Sequence, residues 1–142
     1  MQALLDANVL IALLDSDHLH HARAVAWLRE NIGSGWASSP LTQNGCIRIM
    51  SHSGYSNALP AAAVAERLAA ATATTHHTFW TDAVSMLDVG RIEWSAVLGA
   101  RQVTDVYLLA LAVQQGGRLV TLDRAVPLKG VPGAKPQHLV VI

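Results

Sequence analysis

The chain reads as an α/β protein: a mostly parallel sheet wrapped by helices. Three observations lead there. Short apolar runs of strand length alternate with longer stretches of helical periodicity. One long apolar helix, Asp105 to Gln115, is followed at once by a β-branched strand, which is the order of a parallel crossover unit. The composition allows a real core, with 142 residues, 51% of them apolar and only 14% charged.

Residues 3 to 6 open the chain as a short buried strand, Ala3-Leu4-Leu5-Asp6. A helix follows over Val9 to Leu14. His18 to Asn31 forms a second helix, with Ala22, Val25, Leu28 and Ile32 on one stripe, Asp17 as its N-cap and Gly33 as its stop. Trp36 to Ser38 is a strand candidate. Thr42 to Ser51 reads as a helix that gathers Gln43, Ile47 and Met50 on one face. His52 to Leu59, rich in Ser, Gly and Asn, is a loop. Pro60 then opens a helix to about Thr74, in the first-turn position that proline tolerates. His77 to Phe79 makes a short edge strand, and residues 81 to 100 carry no clear pattern. Thr104 caps the helix from Asp105 to Gln115, and Gly116-Gly117 ends it. Residues 118 to 122 form a strand supported by β-branched content, and Leu139 to Ile142 is the last strand. No linker or repeat divides residues 1 to 142, so one domain is expected.

Charge narrows the function. Lys and Arg number ten, as do Asp and Glu, so no global basic field marks a nucleic-acid binder, although local patches matter more at a cleft. The same neutrality suggests a permanent partner. The single cysteine, Cys46, rules out an internal disulfide and a cysteine-built zinc site. The opening Met-Gln-Ala-Leu-Leu-Asp lacks the basic start of a signal peptide. The longest fully apolar run, Val106 to Val113, is eight residues and too short to span a bilayer. A soluble cytoplasmic protein without membrane contact is expected.

The chemistry lies in three aspartates. Asp6 ends the first strand, Asp105 opens the long helix and Asp123 follows the strand at 118 to 122. Sites in open α/β sheets form outside the carboxyl ends of the strands, so acids distant in sequence can meet there. Clustered carboxylates without a counter-charge repel unless a hard cation such as Mg²⁺ or Mn²⁺ sits among them. Each acid also has a plainer role: Asp6 as a helix cap, Asp105 as a first-turn acid, Asp123 as a turn residue paired with Arg124. Their conjunction favours a metal-dependent hydrolase of phosphodiesters. Asn8, Thr104 and Thr121 are placed to orient the carboxylates. Arg48 and Arg124 are candidates for phosphate contact, and Tyr55, central in its loop, for contact with substrate or partner. His18 and His21 could pair on a helix, but a solvated helix start explains them more simply; Trp36, Trp80 and Trp94 suit packing better than base stacking.

Three segments carry a family resemblance: Leu-Leu-Asp-Ala-Asn-Val-Leu near the start, Arg-Gln-Val-Thr-Asp-Val-Tyr-Leu-Leu-Ala-Leu-Ala, and Gly-Arg-Leu-Val-Thr-Leu-Asp-Arg. With the intervening Pro-Leu-Thr-Gln-Asn-Gly-Cys-Ile-Arg-Ile, they make the chain resemble a PIN domain, and within that family the VapC-type toxins of bacterial toxin–antitoxin modules. The resemblance implies a three-layer α/β/α sandwich and magnesium held by Asp6, Asp105 and Asp123. It also implies endoribonuclease cleavage of structured RNA (transfer or ribosomal), hence inhibition of translation, a VapB-type antitoxin that blocks the site, and a homodimer. One position departs from the pattern. Gln43 stands where such domains usually carry glutamate. It cannot be a charged ligand or a base, though its amide oxygen can still bond a metal-bound water. The alternative is therefore a catalytically weakened domain that binds its antitoxin and cleaves nothing. A phospho-receiver domain is a poorer fit, despite Lys135-Pro136, because Asp6-Ala7-Asn8 lacks the second acid that receivers place after the first strand.

Overall fold

A computed structural model describes residues 1–142. Five strands, β1 (Ala3–Leu5), β2 (Trp36–Ser38), β3 (His77–Phe79), β4 (Arg118–Thr121) and β5 (Leu139–Val141), form one sheet in the order β3-β2-β1-β4-β5. All four pairings are parallel. Every strand therefore needs a crossover, and helices supply most of them. Five α-helices complete the fold: α1 (Ala7–Leu14), α2 (His21–Asn31), α3 (Pro40–Met50), α4 (Ala61–Thr72) and α5 (Val103–Gln114).

Side-chain alternation splits the core into two layers. Leu4, Ala37 and Leu119 face α5, together with Trp80, Val84, Ile92 and Val131 from the connecting loops. Ala3, Leu5, Trp36 and Val120 face the opposite way, onto buried residues of α1, α2, α3 and α4. The period-2 alternation of the strands thus produces an α/β/α sandwich. No helix is long and apolar enough to cross a membrane.

Connectivity positions the site. The chain moves outward from β1 through β2 to β3, then returns through α5 to place β4 on the other side of β1. Strand order reverses between β1 and β4, and the crevice of an open α/β sheet opens at such a reversal, at the carboxyl ends. Leu5 pairs with Val120, so Asp6 emerges directly beside Thr121.

Several boundaries differ from expectation. α2 starts at His21, with His20 and not Asp17 before it, because turns occupy residues 16 to 20 and the Asp17 N–H bonds Asp15 instead. Gly33 lies inside a short 3-10 turn over Ile32–Ser34, and Gly35, at φ +76°, is the residue that turns the chain into β2. α3 begins at Pro40, capped by Ser39 in a reciprocal box with Thr42. Pro60 precedes α4 as its cap residue. Thr104 is no cap: α5 starts at Val103 after a 3-10 turn over Ala100–Gln102, so Thr104 and Asp105 both lie in its first turn. Between β3 and that turn, the chain is irregular apart from a 3-10 turn at Trp94–Ala96.

Candidate active site

Asp6 occupies the N-cap position of α1, yet its side chain makes no capping bond to the helix. Its carboxylate instead accepts a hydrogen bond from the Thr121 hydroxyl at 2.7 Å. Thr121 is fully buried at the end of β4, and it in turn accepts from the Asn8 amide at 3.2 Å and from the Asp123 N–H at 3.0 Å. The Asn8 carbonyl closes the loop by accepting the Leu122 N–H at 3.1 Å. Residues from the β1–α1 junction and from the turn after β4 are thus tied into one network, and Thr121 sets the orientation of the Asp6 carboxylate.

Asp105 sits 8% exposed in the first turn of α5, facing Asp6. Burial, then the charges of Asp6 and Asp123, push its carboxyl up to about 6. Burial also raises Asp6, partly countered by the Thr121 hydrogen bond, with Asp123 adding to the rise. Asp105 therefore senses both other acids, and Asp6 senses Asp123. No cation relieves them, because the one ion pair in the molecule joins Arg91 to Asp88 elsewhere. Asp123 stands slightly apart. One of its carboxylate oxygens accepts the Ala125 N–H at 2.7 Å, and no three acids, histidines or cysteines are drawn tightly enough to form a ready coordination shell. The donor set still suits a hard divalent cation: three carboxylates, two of them buried and none salt-bridged.

A cleft of about 250 Å³ opens over Asp6 and Asp105. Asn8 and Thr104 line it on the acid side, while Leu41, Asn44, Arg48 and Ile49 of α3 form the opposite wall. α3 approaches this closely because of Gly45: a Cβ there would lie 3.1 Å from the Ala7 Cβ of α1. Gln43 is not on that wall. Its amide donates to the Ser38 hydroxyl at 2.9 Å, and Ser38 also contacts the His77 ring nitrogen at 2.8 Å. Arg48 is on the wall; Arg124 is exposed and outside it. Tyr55 lies beyond the end of α3 with its hydroxyl bonded to Asp15. The histidines at 18, 20 and 21 make no site: His18 accepts the His20 N–H, and His21 bonds the Ala12 carbonyl.

Two contributors escaped the sequence. Asn44 is one, although Leu41, Asn44 and Arg48 follow helical spacing, and this stripe becomes visible once the helix is started at Pro40. Asp15 is the other, outside the acid cleft: a buried acid that holds the Tyr55 hydroxyl and whose only signal is that tertiary partner.

The family model of the PIN domain matches residues 3–131. The chain belongs to the PIN-domain family. A phospho-receiver fold is thereby excluded. This PIN domain is 49% identical to Ribonuclease VapC44 of Mycobacterium tuberculosis over 142 residues, the full length of both chains. It is 46% identical to Ribonuclease VapC39 of the same organism over 127 residues, covering 88% of this chain and 91% of that relative. Among solved structures, VapBC2 from Rickettsia felis, bound to a DNA fragment from its promoter, matches with a TM-score of 0.64 at 14% identity, covering 100% of this chain and 98% of that one. PAE2754 from Pyrobaculum aerophilum matches with a TM-score of 0.60 at 21% identity, covering 99% and 84%. At these identities both structures support the PIN fold alone.

Proposed function

We propose that this PIN domain, working as one unit over residues 1–142, is the ribonuclease toxin of a toxin–antitoxin pair. It would cleave structured RNA, transfer or ribosomal, and so stop translation in the cytoplasm. The observation that carries this reading is the pair of buried, unneutralised carboxylates, Asp6 and Asp105, with Asp123 in electrostatic reach, at the strand-order reversal. The full-length similarity to proteins named Ribonuclease VapC44 supports it.

Asp6, Asp105 and Asp123 would hold Mg²⁺, or Mn²⁺ in its place. When bound there, such a cation would supply a water of lowered pKa and positive charge for the phosphate. The chain's own residues do the rest. Thr121 holds the Asp6 carboxylate in one orientation. Asn8 pins the turn after β4 that carries Asp123. Thr104 and Asn44 offer polar groups to the cleft, and Arg48, on its opposite wall, would contact a phosphate there. Arg124 would contact the RNA backbone farther out. A VapB-type antitoxin would restrain the enzyme and a second copy of the chain would pair with it.

The test is cleavage of purified tRNA and rRNA by the antitoxin-free protein. Activity is expected with Mg²⁺, none with chelator, and Asp105→Asn should lose at least the roughly 10–100-fold that even outer-shell changes cost at metal sites. One observation favours a second reading. Gln43 bonds Ser38 outside the cleft wall, which suits a domain that has lost cleavage and keeps only antitoxin binding. Absence of cleavage in both proteins, with the fold intact, would select that reading.

A further inference from the structure

A second groove, of about 350 Å³, opens at the far end of α3 beside the acid-lined cleft. The two share Arg48 and Ile49 as a common wall. Its other lining residues are His52, Gly54 and Tyr55. Both rings are held by bonds that use their inner polar atoms. The His52 Nδ1 accepts the Gly54 N–H at 2.9 Å, so in the neutral ring the proton sits on Nε2, which is left as a donor. A Cβ at Gly54 would lie 3.0 Å from that Nδ1 and 3.2 Å from Cε1, so glycine is what gives the ring its place. The Tyr55 hydroxyl donates to Asp15, a buried acid already fixed by the Asp17 N–H. The segment after α3 is therefore a built wall: two anchored rings, an arginine and an exposed isoleucine.

We propose that this groove is a nucleobase subsite. It takes the base of an unpaired nucleotide flanking the one whose phosphate lies against Asp6 and Asp105, with Arg48 on the backbone between them. The proposal rests on the nuclease reading above and adds to it where the substrate is gripped. Unpaired bases of RNA are recognised by stacking on aromatic rings and guanidinium planes, which is the inventory present. The volume lies in the range of about 300–1,000 Å³ typical of small-molecule sites. No carboxylate lines the groove, and the one charge is Arg48, so an anionic backbone is favoured over a basic peptide.

The experiment is an NMR titration of the full metal-free chain with each of the four nucleoside 5′-monophosphates, and with ribose 5-phosphate as control. At least one nucleotide should shift the His52 and Tyr55 ring signals saturably, while ribose 5-phosphate moves Arg48 and leaves the rings unmoved. His52→Ala should weaken nucleotide affinity roughly five- to hundredfold, the span of one stacked base. Gly54→Ala, which displaces the His52 ring at a backbone position with no positive φ, should weaken it in the same direction without unfolding the chain. The proposal is overturned if no nucleotide moves the rings, if ribose 5-phosphate moves them equally, or if both variants bind as tightly as the native chain. The titration needs no cleavage. Nucleotide binding in a protein that cuts no RNA would sink the nuclease reading alone; cleavage without ring shifts would sink the subsite alone.

Discussion

Asp105 concentrates the electrostatic cost of the site in one side chain. Its carboxyl is pushed from the ordinary 3.8 to about 6, by burial first and by Asp6 and Asp123 after it. In the metal-free protein the folded state therefore holds this proton more tightly than the unfolded chain does. Stability must fall as the pH rises from about 4 to about 6, and the cost is fully present above that. Chelator-treated protein should accordingly melt higher at pH 5 than at pH 7, Mn²⁺ should narrow the gap, and Asp105→Asn should flatten it. An identical pH dependence in Asp105→Asn would remove Asp105 as the cause. At this scale the sequence placed the acids at the ends of elements, and the structure brings Asp6 and Asp105 to one cleft. Gln43 was legible as a substitution but not as a contact: its bond to Ser38 depends on how α3 sits over β2. Asp15 was illegible, since its role comes from Tyr55, forty residues away.

α3 decides how closely the arginine wall meets the acids, and its start is fixed by a buried cap. The Ser39 N–H donates to the Thr42 hydroxyl at 2.9 Å, and the Thr42 N–H bonds back to Ser39. Both residues are buried, so the N–H of Ser39 has no water to turn to. Thr42→Val keeps the shape and orphans that donor, at an expected cost of about 1–3 kcal/mol. Urea unfolding measures it; an unchanged midpoint would mean the cap is idle. Ser39, Pro40 and Thr42 form a recognisable helix start, yet the periodicity that locates a helix is set by its middle, and here it pointed to Thr42. The opposite error occurred at α2, where Asp17 has the chemistry of a cap but the chain spends residues 16 to 20 in turns. Long periodic runs such as α5 were readable; the segment from 81 to 100 was not, because its few buried residues, Val84 and Ile92, are spaced by packing and follow no repeat.

Across the whole molecule, the sheet divides two dry layers, and Cys46 lies wholly inside the one beneath α1 to α4. Burial pushes its thiol up to about 12, so almost no thiolate exists at pH 8. Iodoacetamide should label it only as fast as the fold opens, with the rate rising steeply in urea; fast labelling of the native protein would show that this layer opens locally. The layers were legible only through the family resemblance, because β1 and β2 are buried along their whole length and show no polar–apolar alternation. The strand order was less so, because pairing between β1 and β4 is a choice among parallel arrangements that no local pattern expresses. That pairing also reaches into the making of the protein. The hydrogen bond from Thr121 to Asp6 spans 115 residues. At about 5–20 residues per second, a ribosome takes on the order of ten seconds to travel that far. Until Asp105 is added, late in that interval, the emerging chain holds one acid of the cluster and lacks the other two. On the proposed nuclease reading, a translation product that stops before Asp123 lacks an acid of the site, and an antitoxin made alongside would have until the final strands appear to arrive.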